Sequence, residues 1–402
     1  MSKPALITSL DASAIRRILE AHRRYLGGLS GGRRANLAYV NLAEHDLQGV
    51  DLTEAELTGA RLNGATLQNA RLDRAVLFGA DLRDTDVRRA SLVRADLRGA
   101  CLRGANLAEA DLTGCDLREG MIALQELSSG FRILKHERRA GDLDFAVLSG
   151  AKMQGVQMSG ALACATDFSD ANLTGAQLGG ARLCNAVLDG ANLTNAQLHQ
   201  ADLAGASLKR TVVTGADLSG AVIDDGALTE VLAAPPPIFY IDDQPLQEVL
   251  RAHERWCASD GREGAAAKLS KVDFRSLRSL EGRRLTALAA PGSILFGMNL
   301  RGVQFQGADL AGADLRACDL QGADLRGAKL RDALLNKADL RGAKLGPLPI
   351  AEGRVVRTDL SRAVLRHADF GGADLRRARL LQADRTGLKD EGADWSGAEL
   401  EA

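Results

Sequence analysis

Residues 35–59 read A-N-L-A-Y, V-N-L-A-E, H-D-L-Q-G, V-D-L-T-E, A-E-L-T-G. Leucine returns at every fifth position, from Leu37 through Leu42, Leu47, Leu52 and Leu57, and the frame continues for tens of units. With the leucine as the centre of each unit, Ala recurs two residues before it and a polar residue lies between them. Gly often stands two residues after it. A period of five is neither the helical 3.6 nor the strand 2. Short fixed repeats mark solenoids, in which each unit buries its apolar side only against its neighbours.

Working outward, the first frame keeps its phase over 37–127, with Val87 as a β-branched centre and Ile122 and Leu127 as fraying members. An interruption at 128–142 precedes a second frame over 143–228, whose weak unit is centred on Ala163. Residues 229–268 contain Pro235-Pro236-Pro237, read as a stiff spacer. The third frame, 269–402, is clearest from Leu295 to Leu345 and from Leu360 to Leu380. Counting fives between those stretches puts Ile350 and Val355 in phase, so both are expected to point inward despite the nearby prolines. Trp395 and Leu400 keep the phase, and Arg385 breaks it.

Two segments outside the repeats resemble each other. Ile15, Ile18, Leu19, His22 and Leu26 match Leu246, Val249, Leu250, His253 and Cys257 at helical spacing, with Tyr25 opposite Trp256. Each predicts a short amphipathic helix, then a Gly-rich turn, then the first repeat centre. A solenoid needs such caps because an open coil exposes unpaired strand edges. The expected organisation is therefore a cap and turn at 1–36 and a spacer with a second cap within 229–268. A duplicated cap-plus-solenoid unit accounts for both.

The A-(D/N)-L-x-x frame resembles the pentapeptide-repeat family over about four-fifths of the chain. That resemblance implies an all-β solenoid: a right-handed quadrilateral β-helix with four units per coil, its centre and preceding Ala pointing inward, here with short α-helical caps. Coils about 4.8 Å apart would make about 15 coils and a rod of roughly 70 Å if continuous, with two hinged rods as the alternative. Family members include DNA-mimicking proteins that protect type II topoisomerases, secreted effectors and proteins without an assigned role, so fold alone does not give function.

Composition narrows the choice. The 402 residues hold only 3% aromatics, so the core must be built from Leu and Ala, and 51 basic against 52 acidic side chains argue against a strong whole-protein nucleic-acid footprint. Residues 37–127 hold 15 acidic against 10 basic residues, 143–228 hold 8 against 4, and 280–400 hold 16 against 19. The row Asp46, Thr66, Asp86, Asn106, Glu126 is the best candidate for a carboxylate stripe, and a sparse one. Cys164 and Cys184 lie 20 residues apart and should stack within disulfide range. In a reducing cytosol they are expected as free thiols. Cys115 and Cys318 fall in the small inward slot and read as core filler.

His22 and His253 read as cap residues rather than catalytic ones, and the Gly-rich turns lack a phosphate-loop signature. No catalytic, cofactor-binding or metal-binding residue is assigned. The expected protein is a bacterial, cytoplasmic, non-catalytic binding or scaffolding solenoid, with a topoisomerase-protecting DNA mimic as the rival. Its partner is a protein of unknown identity, with no direct nucleic-acid or membrane binding. The coil carrying Trp395 is read either as a homodimer contact or as closed by its own segment with Trp395 as stopper.

Overall fold

The computed structural model describes residues 7–128, 131–235, 238–351 and 353–401, with 122–136 described by backbone only. It divides into two compact units, Met1–Ala234 and Pro235–Ala402.

In the first unit, β1 (Thr8–Ser9) precedes α1 (Ala12–Leu26) and pairs in parallel with β2 (Val40–Asn41). Asp11 starts the helix by accepting the Ala14 N–H at 2.6 Å. Ile15, Ile18, Leu19 and His22 share one face, and the three aliphatic residues pack on the cluster that begins with Ala35 and Leu37. From there the backbone forms parallel bridges between residues 20 apart, such as Asn41↔Arg61, Arg61↔Asp81 and Asp81↔Cys101. Four five-residue sides therefore make one coil, and each coil stacks on the last.

One unit shows why these five residues are chosen. Ala95 N–H closes a turn on Leu92 O at 2.9 Å, and Asp96 N–H reaches back one coil to Ala75 O at 3.0 Å. Leu97 N–H reaches forward to Asp116 O at 2.8 Å, and Gly99 N–H to Arg118 O at 3.0 Å. The remaining donor, Arg98 N–H, bonds the Asp96 side chain at 3.2 Å. All five backbone donors are thereby satisfied, which a stacked backbone requires. Asp or Asn is favoured before the centre because its oxygen reaches the one donor the coils leave over. Gly99 sits at φ 64°, where glycine carries no steric penalty, and this turn position explains the glycine two residues after the centre.

Leu and Ala fill the interior of both units. Ala163 and Phe168, the next centre, are both fully buried. Polar residues in the alanine slot are also buried and bonded. Thr85, Thr166 and Thr211 donate their hydroxyls to Leu62, Leu143 and Leu188 carbonyls at 2.7–2.9 Å. Cys115 and Cys318 do the same with their thiols, to Leu92 O and Leu295 O, and burial pushes the Cys115 thiol up to about 12.

Two expectations are corrected. Ile122 and Leu127 do not continue the first frame: their backbone belongs to β3 (Gly120–Ser128), paired antiparallel with β4 (Phe131–Arg139). The coil resumes beyond this hairpin, with Cys101↔Asp142 and Asp116↔Gln157 bridging at 41 residues and Asp142↔Leu162 back at 20. The frames at 37–127 and 143–228 thus share one coil stack and one core, and the interruption placed at 128–142 is a side excursion.

The second unit begins with β5 (Tyr240–Ile241) and β6 (Gln244–Pro245), then α2 (Leu246–Ala258), whose Leu246 and Leu250 join the core. A 3-10 turn at Phe274–Leu277 precedes regular coils. Here Ile350 and Val355 are not inward: they are 53% and 42% exposed, on the hairpin of β7 (Leu348–Ala351) and β8 (Arg354–Val356). The reason is the ladder. In the assumed phase Pro347 and Pro349 would occupy two positions whose N–H must bond a neighbouring coil, and proline has none. The chain leaves the stack after Leu345 and re-enters before Leu360, lengthening the bridge step from 20 to 30 residues at Lys329↔Asp359.

These placements separate two substitutions. Leu315→Asp buries an unpartnered carboxylate and should cost several kcal/mol, about 4, whereas Ile350→Asp on the exposed hairpin should change stability by less than about 0.5 kcal/mol. Urea unfolding of both variants checks this, and equal losses would contradict the assignment.

Candidate interaction faces and helix-covered edges

The outward faces follow from the same unit. Where Asp precedes the centre and Arg follows it, the guanidinium folds back on the carboxylate. Arg98 Nε and Nη2 donate to Asp96 Oδ1 and Oδ2 at 2.9 and 2.7 Å. Asp81–Arg83, Asp116–Arg118, Asp339–Arg341 and Asp374–Arg376 repeat the clamp. In Asp314–Arg316 it is buried, and Arg316 also lies 5.3 Å from the Phe296 ring centre. A bidentate pair fixes geometry as well as charge.

The proposed carboxylate stripe is corrected by this arrangement. Asp46, Thr66, Asp86 and Asn106 do stack, but the next residue in the column is Val147, because Glu126 lies on β3. Asp86 is clamped by Arg88 and also accepts from Gln68. The Arg88 bond, helped by Gln68, lowers its carboxyl to about 2. What the column presents is one clamped carboxylate, Asp86, and a second, Asp46, two coils away, not a continuous row of charge.

Cys164 and Cys184 form a disulfide across adjacent coils, with Cα atoms 4.6 Å apart, in place of the expected free thiols. Stacking at the coil spacing brings the two side chains together without backbone movement.

The two helix-covered edges share a device that the sequence shows only as matched histidines. His22 is fully buried and its Nδ1 accepts the Ala35 N–H at 3.1 Å; His253 is fully buried and its Nδ1 accepts the Ala267 N–H at 3.1 Å. Each ring stacks on the aromatic three residues after it, Tyr25 at 5.9 Å and Trp256 at 5.6 Å between centroids. The histidines are fully buried, whereas Tyr25 is 39% exposed and Trp256 half-buried. His253 Nε2 donates to Thr286 O at 3.1 Å, and Cys257 Sγ is 3.6 Å away. With its Nδ1 lone pair engaged and its proton on Nε2, His253 offers that thiol no base.

At 381–400 the centre positions change character. Arg385 and Asp390 are exposed where other coils carry buried leucine, and with Leu388, Trp395 and Leu400 they line an open bowl of about 410 Å³. Trp395 is half-buried beside Phe370, 6.4 Å between ring centres, and its indole N–H has no partner. A second depression, about 470 Å³, is lined by Arg98, Arg118, Glu119, Ser159 and Gly160 beside the β3–β4 hairpin. Among the described residues, no helix is long and apolar enough to cross a membrane, and no group of three potential ligands is placed to hold a metal ion.

The pentapeptide repeats family matches the chain in eight copies, over residues 33–69, 55–92, 90–120, 166–203, 196–231, 299–336, 318–346 and 354–387. No curated protein matches it. Among solved structures, the chain is similar to a pentapeptide repeat protein of the Arabidopsis thaliana thylakoid lumen. The identity is 21%, covering 30% of this chain and 66% of that one, just under two thirds of its length, with a TM-score of 0.20. It is also similar to HetL, a pentapeptide repeat protein involved in heterocyst differentiation regulation from the cyanobacterium Nostoc sp. strain PCC 7120, with 23% identity over 97% and 96% of the two chains and a TM-score of 0.15. Full-length QnrB1, a plasmid-mediated fluoroquinolone resistance protein, is 17% identical over 47% of this chain and 86% of its own, with a TM-score of 0.21.

The thiol pairing is open to direct measurement. Alkylation in denaturant without reductant should modify four cysteines, and six after reduction. Reduction should also lower stability by about 3 kcal/mol for a crosslink of this span. Six alkylated cysteines before reduction would show that the pair is not crosslinked.

Proposed function

Because this chain belongs to the pentapeptide-repeat family, we propose that it is a non-catalytic protein-binding or scaffolding solenoid. The observation that carries the reading is the repeated Asp–Arg clamp, which turns charged residues into fixed, nearly neutral faces. Such faces suit recognition of a protein by shape and hydrogen bonding better than imitation of a phosphate backbone. In this reading the coil is right-handed, as the family implies, α1 and α2 serve as caps, and the protein works in a bacterial cytoplasm.

The second reading is a DNA-mimicking protector of a type II topoisomerase. The acidic excess of residues 37–127, 15 against 10, favours it, and fluoroquinolone resistance, the role carried by QnrB1, is the property to look for. A gyrase supercoiling assay with and without a fluoroquinolone separates the two. The scaffold reading expects no change in the inhibition curve, and protection at micromolar protein would replace it with the mimic.

Partner choice includes a second copy of the chain. Arg385 and Asp390 stand exposed beside Trp395 and Leu400. A two-fold contact would set Arg385 of one copy against the partner's Asp390, a self-complementary arrangement. Sedimentation at tens of micromolar should show a dimer that Trp395→Arg dissociates. A wild type that stays monomeric would remove the dimer from the proposal.

A further inference from the structure

We propose that His22 and His253 are acid-sensitive latches, each holding its helix on the coil edge as a neutral imidazole and releasing it when protonated. Both rings are fully buried, and both spend the Nδ1 lone pair on a backbone N–H of the segment leading into the first coil, Ala35 or Ala267, at 3.1 Å. A proton arriving at Nδ1 would face that N–H donor head to head, so the bond that docks the helix cannot survive protonation. The duplication of the same contact in two units, with a stacked aromatic beside it, marks it as a device of the module.

The surroundings set the direction. His22 is faced from the coils by Asp51, the Thr53 backbone carbonyl and Glu54, which favour its charged form, and by Arg34, which opposes it. His253 is faced by Glu254 of its own helix, whose carboxylate is held by Arg283, and by the Cys257 thiol and Thr286 carbonyl. Burial outweighs the carboxylates and lowers both imidazoles below their ordinary range. A released helix therefore binds the proton more readily than a docked one. Docking is at full strength above the ordinary imidazole value of about 6.5 and weakens as pH falls below it. Release would bare the Ala35 or Ala267 N–H and the coil edge behind it.

Hydrogen–deuterium exchange on the full chain, corrected for intrinsic exchange rates, tests this at pH 7.5 and 5.0. Peptides covering 12–26 and 246–258 should lose protection at pH 5.0 relative to pH 7.5, while coil peptides from 60–110 and 300–340 keep theirs. His22→Asn and His253→Asn place an amide oxygen where Nδ1 stood, accept the same N–H and do not titrate. Each should abolish the acid response of its own helix only. Unchanged wild-type protection at pH 5.0, or an acid response that persists in the Asn variants, would overturn the proposal. Imidazole C–H resonances followed by NMR in the wild type give a readout that needs no variant. Titration of both rings below 6.5 supports the latch, and titration at or above 6.5 refutes it.

Discussion

Everything in this architecture rests on the disposal of five backbone N–H groups per unit. Two are sent forward to the next coil, one back to the previous coil, one into the turn and one into the side chain before the centre, as the unit around Leu97 shows. Once that distribution is fixed, the centre and the residue two before it face inward and the rest face water. Leucine and alanine then follow from the size of the tube. Asp or Asn follows from the leftover donor, and glycine follows from the positive φ of the turn. The repeat is a consequence of hydrogen-bond accounting before it is a consequence of packing.

That ordering explains what was legible in the sequence. Inward Leu52, Leu97 and Leu315 could be read directly, because side-chain type reports burial. The helices could be read from the spacing of Ile15, Ile18 and Leu19 and of Leu246, Val249 and Leu250. The hairpin at Leu348–Val356 could not be read by counting apolar residues in phase, since Ile350 and Val355 look like centres. The informative residues were Pro347 and Pro349, read for the donors they lack. Likewise, Glu126 fits a column spaced by 20 on paper, but the β3–β4 hairpin takes it off the stack. Phase alone cannot distinguish two units of coil from the excursion at Leu348–Val356, which adds ten residues to the bridge step.

The faces were harder still. Each D-L-R unit supplies its own counter-ion two residues away, so the number of charged residues in a tract overstates the free charge on its surface. The free-thiol expectation for Cys164 and Cys184 failed for a different reason. It was drawn from the presumed compartment, whereas the 20-residue step that stacks the two residues is a property of the coil. Geometry was the better guide there.

A coil stack has a weak point where its first unit has no preceding centre on which to close the turn. At Ala35, and again at Ala267, the chain meets that need with an imidazole nitrogen instead of the backbone carbonyl three residues before. An aliphatic residue in place of His22 would seal the apolar cross-section equally well and leave the donor unsatisfied; a lysine would supply no acceptor at all. Asparagine or glutamine would serve chemically, but neither carries a flat ring to stack under Tyr25 or Trp256. Histidine is the side chain that meets the apolar and polar demands of an edge together. Its acceptor exists only while the ring is neutral, so the strength with which the edges are covered is tied to pH by the same atom that covers them.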